Sequence, residues 1–204
     1  MPQPTSADTV RGLIQRSIDA KRALLDGPHI AQVVAAAEAC VAALSRGGKL
    51  LFCGNGGSAA DAQHLAAELL VRLRPQVDRP GIPAIALAMD SSSMTACGND
   101  YSYDVFYERM VEALGRPGDV LIGITTSGKS PNVLRALQAA RAMGIVTIGL
   151  LGGSGGPALA ECDLAVVVPS GETGRVQECH ITLGHALMEL IEDGLLAGGH
   201  IQQR

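Results

Sequence analysis

The stretch Cys53-Gly54-Asn55-Gly56-Gly57-Ser58 lies between a short aliphatic run, residues 49–53, and a segment with a clean helical period. The run ends at glycines, as a buried strand does, and Ser58 is a good N-cap for the helical segment after it. Over residues 58–73, Ala62, Leu65, Ala66, Leu69 and Leu73 recur at three- and four-residue steps as an apolar face. Asp61, His64, Glu68 and Arg72 form a polar stripe beside it. His64 and Glu68 therefore sit one turn apart on one side of a helix whose N-terminus opens onto a glycine loop. Backbone N–H groups there can meet an anion or a sugar hydroxyl. As an isolated pair, the two side chains read equally well as a solvated i,i+4 contact.

Working outward from this loop, strand and helix alternate. Continuous apolar runs at 49–53, 83–88, 119–124, 146–151 and 164–168 read as strands covered on both faces. Helical patterns fall at 58–73, 103–114 and 131–143, with a short piece near 157–161 and a last helix over 175–196. This order predicts an α/β fold, a three-layer sandwich around a five-stranded parallel sheet with right-handed crossovers. Ligands in such sheets bind at the carboxyl ends of the strands, so the loops after Cys53, Ala88, Ile124 and Val168 should converge. Two further helices precede the first strand. One, over 6–25, carries Val10, Leu13, Ile14 and Ile18 on one face; the other, over 28–44, carries Ile30, Val33, Val34, Ala37 and Val41. They read as an N-terminal extension, residues 1–46, that packs against another subunit, with an α/β core over 47–204 in one domain.

Hydrophobic residues make up 47% of the 204 but aromatics only 2%, with no Trp, so the core must be aliphatic. Net charge is −4 and no block of Lys or Arg occurs, which disfavours nucleic acid as a partner. Met1 to Ser6 lacks a basic segment followed by an apolar one, and no apolar stretch has membrane-spanning length. The expectation is a cytoplasmic protein with no membrane partner. The five cysteines are widely spaced without a CxxC pair, and read as reduced core residues rather than a disulfide framework or a thiolate zinc site.

Other loops carry polar chemistry. The second strand runs into Asp90-Ser91-Ser92-Ser93, then Gly98-Asn99-Asp100; Asn99 and Asp100 suit sugar hydroxyls, and the tripeptide is also good turn chemistry. The third strand leads into Thr125-Thr126-Ser127-Gly128-Lys129-Ser130-Pro131, a phosphate cradle by composition placed directly before a helix. Residues 123–130 also match the nucleotide-binding pattern G-x-x-x-x-G-K-S. Three features argue against that reading: Gly123 falls inside the strand, Pro131 follows at once, and no later strand ends in an Asp for magnesium. On the last helix, Gln177 and His185 stand about 12 Å apart along the axis, so spacing alone does not pair them.

The run from Cys53 to His64, with Glu68, closely resembles the signature of the phosphoheptose isomerases, also called sedoheptulose 7-phosphate isomerases, within the sugar isomerase (SIS) domain family. The resemblance continues through Asp90-Ser91-Ser92, Gly98-Asn99-Asp100-Tyr101, the hydroxyl loop, and Arg175-Val176-Gln177-Glu178 with His180 and His185. It implies a five-stranded parallel sheet and a homotetramer with active sites at subunit interfaces. It implies sugar phosphate contacts from Asn55, Gly56, Gly57, Glu68, Asn99, Asp100, Thr125, Thr126, Ser127, Ser130 and Gln177. Glu68 and His185 are the implied acid/base pair, and His64, Glu68, Gln177 and His185 the implied zinc ligands. If zinc is so held, the axial spacing suggests ligands from more than one subunit, or a helix that begins after Gln177. The implied reaction converts sedoheptulose 7-phosphate to D-glycero-D-manno-heptose 7-phosphate, toward heptose-containing glycans such as lipopolysaccharide. Departures from the commonest pattern are Thr125 for Ser, Lys129 for Asn, and Gly174 where some members carry Asp. Relatives with the same glycine loop act as non-enzymatic regulators that bind the bacterial replication initiator, and they lack an equivalent of His185. A sugar phosphate sensor on this fold would need no acid/base pair.

Overall fold

The computed structural model describes residues 5–203, so the reading of Met1 to Pro4 as free of a leader lies outside the described residues. In chain order the elements are α1 (Ser6–Leu25), α2 (His29–Ser45), β1 (Leu50–Gly54), α3 (Gly57–Leu70), β2 (Ala84–Ala86), α4 (Ser91–Asp100), a 3-10 turn (Tyr103–Val105), α5 (Phe106–Leu114), β3 (Val120–Thr125), α6 (Pro131–Ala142), β4 (Val146–Gly152), a second 3-10 turn (Pro157–Glu161), β5 (Leu164–Val168) and α7 (Thr173–Ala197). The five strands pair in parallel in the order β2-β1-β3-β4-β5.

The side-chain alternation of β1 divides the interior into two layers. Leu50 and Phe52 pack with α2, α3 and α7, including Cys40, Leu65, Leu69 and Ile191, whereas Leu51 and Cys53 pack with α5 and α6, including Tyr107, Val111 and Leu137. Helices thus cover both faces of the sheet, which is why the strands read as unbroken apolar runs. The cysteines are all free, four of them buried and Cys162 half-buried, as expected of small core residues.

The 91–100 segment and the end of α3 differ from the sequence reading, and the faces of α1 and α2 are resolved in detail. Residues 91–100, read as loop or turn, form α4, with the Asp90 carboxylate capping it through the Ser92 N–H at 3.0 Å. The α3 helix ends at Leu70 rather than Leu73, because the chain folds back beneath it. Arg79 donates to the Glu68 and Leu69 carbonyls at 2.8 Å each and Ile82 N–H to the Leu69 carbonyl at 3.0 Å, satisfying acceptors that a longer helix would use itself. On α2 the buried stripe is Val33, Ala36, Ala37, Cys40 and Ala43, while Ile30 and Val34 stay 48% and 40% exposed. On α1 only Ala20 and Leu24 are buried; Val10, Leu13, Ile14 and Ile18 face outward. Among the described residues no single helix is long and apolar enough to cross a membrane.

Candidate active site at the switch point of the sheet

From β1 the chain first extends the sheet to one side, at β2, and then returns to the other side of β1 at β3. The carboxyl ends of β1 and β3 flank the crevice that this reversal creates, the usual ligand position in an open parallel sheet. The glycine loop follows β1 and the hydroxyl loop follows β3, with Gly54 in register with Ile124. Gly123 lies inside β3, so the nucleotide-binding pattern has no loop to act from.

Gly56, not Ser58, is the N-cap of α3. Its φ of 56° turns the chain directly into the helix, and Ser58 is buried one residue into the first turn, its N–H already donating to the Asn55 carbonyl at 3.0 Å. The backbone N–H groups of Asn55, Gly56 and Gly57 donate to no described residue. In the second loop, the Thr125 hydroxyl is buried, lies 3.2 Å from the Ser130 hydroxyl and accepts from Gly128 N–H at 3.2 Å; the Ser127 hydroxyl accepts from Lys129 N–H at 3.2 Å. Gly128 has a φ of 64° and presses against the Gly155 carbonyl so closely that a Cβ would lie 1.8 Å from it, so a side chain there would displace the loop. Ser130 caps α6 without a side-chain hydrogen bond to the helix; Pro131 has no N–H and Val133 N–H donates to Asn132 Oδ1, so in the first turn the Asn132 N–H is the one without a partner among the described residues. Lys129 is exposed and makes no ion pair among the described residues.

The polar stripe of α3 meets α7. Close approach occurs at Gly184, where a Cβ would lie 2.7 Å from Leu65 Cδ1, and His185 follows immediately. His64 Nε2 lies 2.8 Å from His185 Nε2 and 3.1 Å from Glu68 Oε1, and one ligand atom from each of the three residues falls within 4.8 Å of the others. One ring nitrogen cannot donate to the carboxylate and accept from the second imidazole at once. A single cation at the centre satisfies all three lone pairs. The two distances from His64 are a few tenths of an ångström inside the ~3.3 Å between neighbouring ligands of a four-coordinate ion with bonds of about 2.0–2.1 Å, and the third pair lies within 4.8 Å. The donor set therefore fits a divalent metal of the zinc class.

Asp61 stands one turn before His64 on the same stripe, and its Oδ2 is buried without a partner among the described residues. Burial raises the pKa of its carboxyl, a shift opposed in part by the charges of His64 and His185. A carboxyl whose pKa is raised in the fold stabilises the protein only at low pH, and that contribution is lost as pH rises through the folded value. In metal-free protein Asp61→Asn is therefore expected to raise the thermal midpoint by a few degrees at neutral pH, the gain fading in the acid range. A lower midpoint at neutral pH would show that the carboxylate is productively paired.

The remaining candidates divide. Gln177 lies inside an unbroken α7, which excludes a helix starting after it, and its amide rests against the glycine loop: a Cβ on Gly57 would lie 2.5 Å from its Nε2. It stands two turns before His185 on the same helix. Asn99 and Asp100 end α4, exposed; Asn99 Nδ2 donates to Asp100 Oδ1 at 2.7 Å, and neither side chain hydrogen-bonds to another candidate. His180 is a core residue with its Nε2 3.0 Å from the Leu151 carbonyl, and burial lowers its pKa. Three residues that the sequence reading passed over hold the glycine loop: Tyr107 donates to the Gly54 carbonyl, and Tyr103 and Asn132 hydrogen-bond to the Asn55 amide. The available signal was composition, since two of only three tyrosines serve one loop.

Residues 21–152 match the SIS domain, the sugar isomerase domain, which accords with the parallel sheet and the glycine and hydroxyl loops at its switch point. A phosphoheptose isomerase of Chlorobaculum parvum is 57% identical over 162 residues, covering 78% of each chain. Among solved structures, the phosphoheptose isomerase of Neisseria gonorrhoeae is 42% identical with a TM-score of 0.86, and that of Francisella tularensis is 39% identical with a TM-score of 0.87. Each alignment covers 93% of this chain and 100% of the other. The chain belongs to the phosphoheptose isomerase family.

Proposed function

We propose that this protein interconverts sedoheptulose 7-phosphate and D-glycero-D-manno-heptose 7-phosphate, an aldose-ketose isomerisation through an enediol. The observation that carries the reading is the convergence of His64, Glu68 and His185 on α3 and α7, with α3 rising directly from a glycine loop whose N–H groups have no partner among the described residues. In the proposed assignment, the phosphate is received by the N–H groups of Asn55, Gly56 and Gly57 and by Thr125, Thr126, Ser127 and Ser130, with Lys129 adding charge at the rim and Asn99, Asp100 and Gln177 meeting the sugar. Glu68 removes the proton from the carbon beside the carbonyl while His185 protonates the carbonyl oxygen, giving the enediol. Return of the proton to the former carbonyl carbon, with loss of the neighbouring hydroxyl proton, forms the aldehyde. His64, Glu68 and His185, with Gln177 from the same or another subunit, are the residues that would hold a zinc ion. When bound, such an ion supplies Lewis-acid polarisation of the carbonyl.

The same reading takes residues 1–204 as one domain acting in the cytoplasm as a homotetramer. The outward apolar faces of α1 and α2 support packing of residues 1–46 against other copies, with sites at the interfaces. A regulator or sensor on this fold is disfavoured, because neither role needs His185 beside His64 and Glu68. The test is an NMR time course of purified protein with sedoheptulose 7-phosphate, with added zinc and with chelator. Aldose should accumulate with the native protein, and a chelator-sensitive rate would support the metal assignment. A folded protein without turnover in any arm would turn the argument toward regulation or sensing.

A further inference from the structure

We infer that Tyr103 and Asn132 are positioning residues that clamp Asn55, and so fix the free N–H groups of the glycine loop in the conformation that receives phosphate; this rests on the proposed isomerase activity. Asn55 lies among Gly54, Gly56 and Gly57, residues with the widest backbone freedom, and a loop of that composition needs external restraint to hold one shape. Its amide supplies the restraint. Asn55 Nδ2 donates to Asn132 Oδ1 at 2.8 Å, and Asn55 Oδ1 accepts from both Asn132 Nδ2 and the Tyr103 hydroxyl at 2.8 Å. Both lone pairs and one N–H of the Asn55 amide are thereby used within the protein, leaving a single N–H for a ligand. The Asn55 side chain is therefore mainly an anchor, and the loop backbone does the receiving.

Both partners are themselves immobilised. Asn132 is 1% exposed in the first turn of α6, where its Oδ1 also accepts from its own Val133 N–H at 2.9 Å. The Tyr103 ring lies parallel to that of buried Phe106, 7° between planes and 6.4 Å between centroids. Tyr107, one residue beyond Phe106, holds the Gly54 carbonyl. The amide pair thus joins the glycine loop to the end of the hydroxyl loop, and the tyrosines join it to the segment just after Asn99 and Asp100. Three separate stretches of chain that would touch one substrate are set relative to each other at Asn55.

The test uses Tyr103→Phe, Asn132→Ala and the double variant of the full chain. Tyr103→Phe removes one oxygen from a half-exposed ring and keeps the stack, so its thermal midpoint should hold. Loss of one neutral hydrogen bond predicts a KM for sedoheptulose 7-phosphate about three- to tenfold higher. The kcat should fall by less, because α3 and α7 keep Glu68 and His185. Hydrogen exchange, followed without substrate, reads the loop directly at the Ser58, Ala59 and Ala60 amides, which donate to the Asn55 and Gly56 carbonyls. Exchange there should quicken several-fold in each variant. As both residues act through one amide, the double variant should resemble Asn132→Ala rather than show the product of the two effects. Unchanged KM and exchange in Tyr103→Phe, or effects that multiply, would overturn the clamp. Wild-type protein without turnover would sink the isomerase reading alone; the exchange comparison would then decide the clamp by itself, unchanged rates in Tyr103→Phe overturning it and faster rates upholding it.

Discussion

Glu68→Gln is expected to lower kcat by roughly two to four orders of magnitude, the usual contribution of a positioned general base. The substitution preserves shape, so α3 should fold unchanged and the loss reads on the carboxylate itself. Glu68 is half-buried, one turn from His64 and 3.1 Å from its Nε2, and α7 closes over it with His185. Its oxygen is thus at once the proposed base and one of three atoms around a common point, two roles that compete, since a carboxylate bound to a cation is a weaker base. Two readouts separate them. Exchange of the substrate's carbon-bound proton with D2O reports proton abstraction, whereas metal content and the zinc dependence of the rate report ligation. Loss of exchange at full metal occupancy would place Glu68 on the carbon proton. Recovery of kcat in Glu68→Gln at saturating zinc would instead make it a ligand only, and His64 or His185 would have to carry the base.

The sheet was readable because each strand is buried on both faces: 164–168 is reproduced residue for residue as β5, and the others agree within two residues at most boundaries. The pairing of His64 with Glu68 was also readable, because helical periodicity places them one turn apart whatever surrounds them. The arrival of His185 was not, since that depends on how closely α7 approaches α3, and the approach is set by Gly184 against Leu65, a contact 119 positions long that no local pattern carries. The same reason hid the clamp on Asn55: Asn132 looks like an ordinary first-turn residue, and its partner lies 77 positions away. The α4 helix was missed because Ser, Thr, Gly and Asn dominate it, residues that favour turns when no tertiary packing intervenes. Glycine and hydroxyl loops reveal themselves by composition; the groups that hold them rigid do not.

Arg79→Met should destabilise the protein by about 3 kcal/mol or more, the range found when one partner of a buried ion pair is removed. At roughly 2–4 °C per kcal/mol for a chain of this size, the thermal midpoint should drop by about 6 °C at least. The Arg79 side chain is 1% exposed and its Nε donates to Glu192 Oε1 at 2.6 Å; the Glu192 side chain is 2% exposed. Arg74 covers the other oxygen at 2.6 Å and also pairs with Asp193. Methionine fills much of the space but leaves Glu192 Oε1 and the Glu68 carbonyl without the Arg79 donor, while the Leu69 carbonyl keeps the Ile82 N–H at 3.0 Å. If the buried charge is the main cost, Arg79→Met with Glu192→Leu should be more stable than Arg79→Met with Glu192 intact; a strictly additive double variant would assign the cost to the α3 carbonyls instead. Function should follow stability here. Arg79 ties the last turn of α3, which carries Glu68, to α7, which carries His185, so loosening it should widen the distance on which the proposed proton transfers depend. At temperatures where Arg79→Met remains folded, kcat should therefore fall more than KM rises.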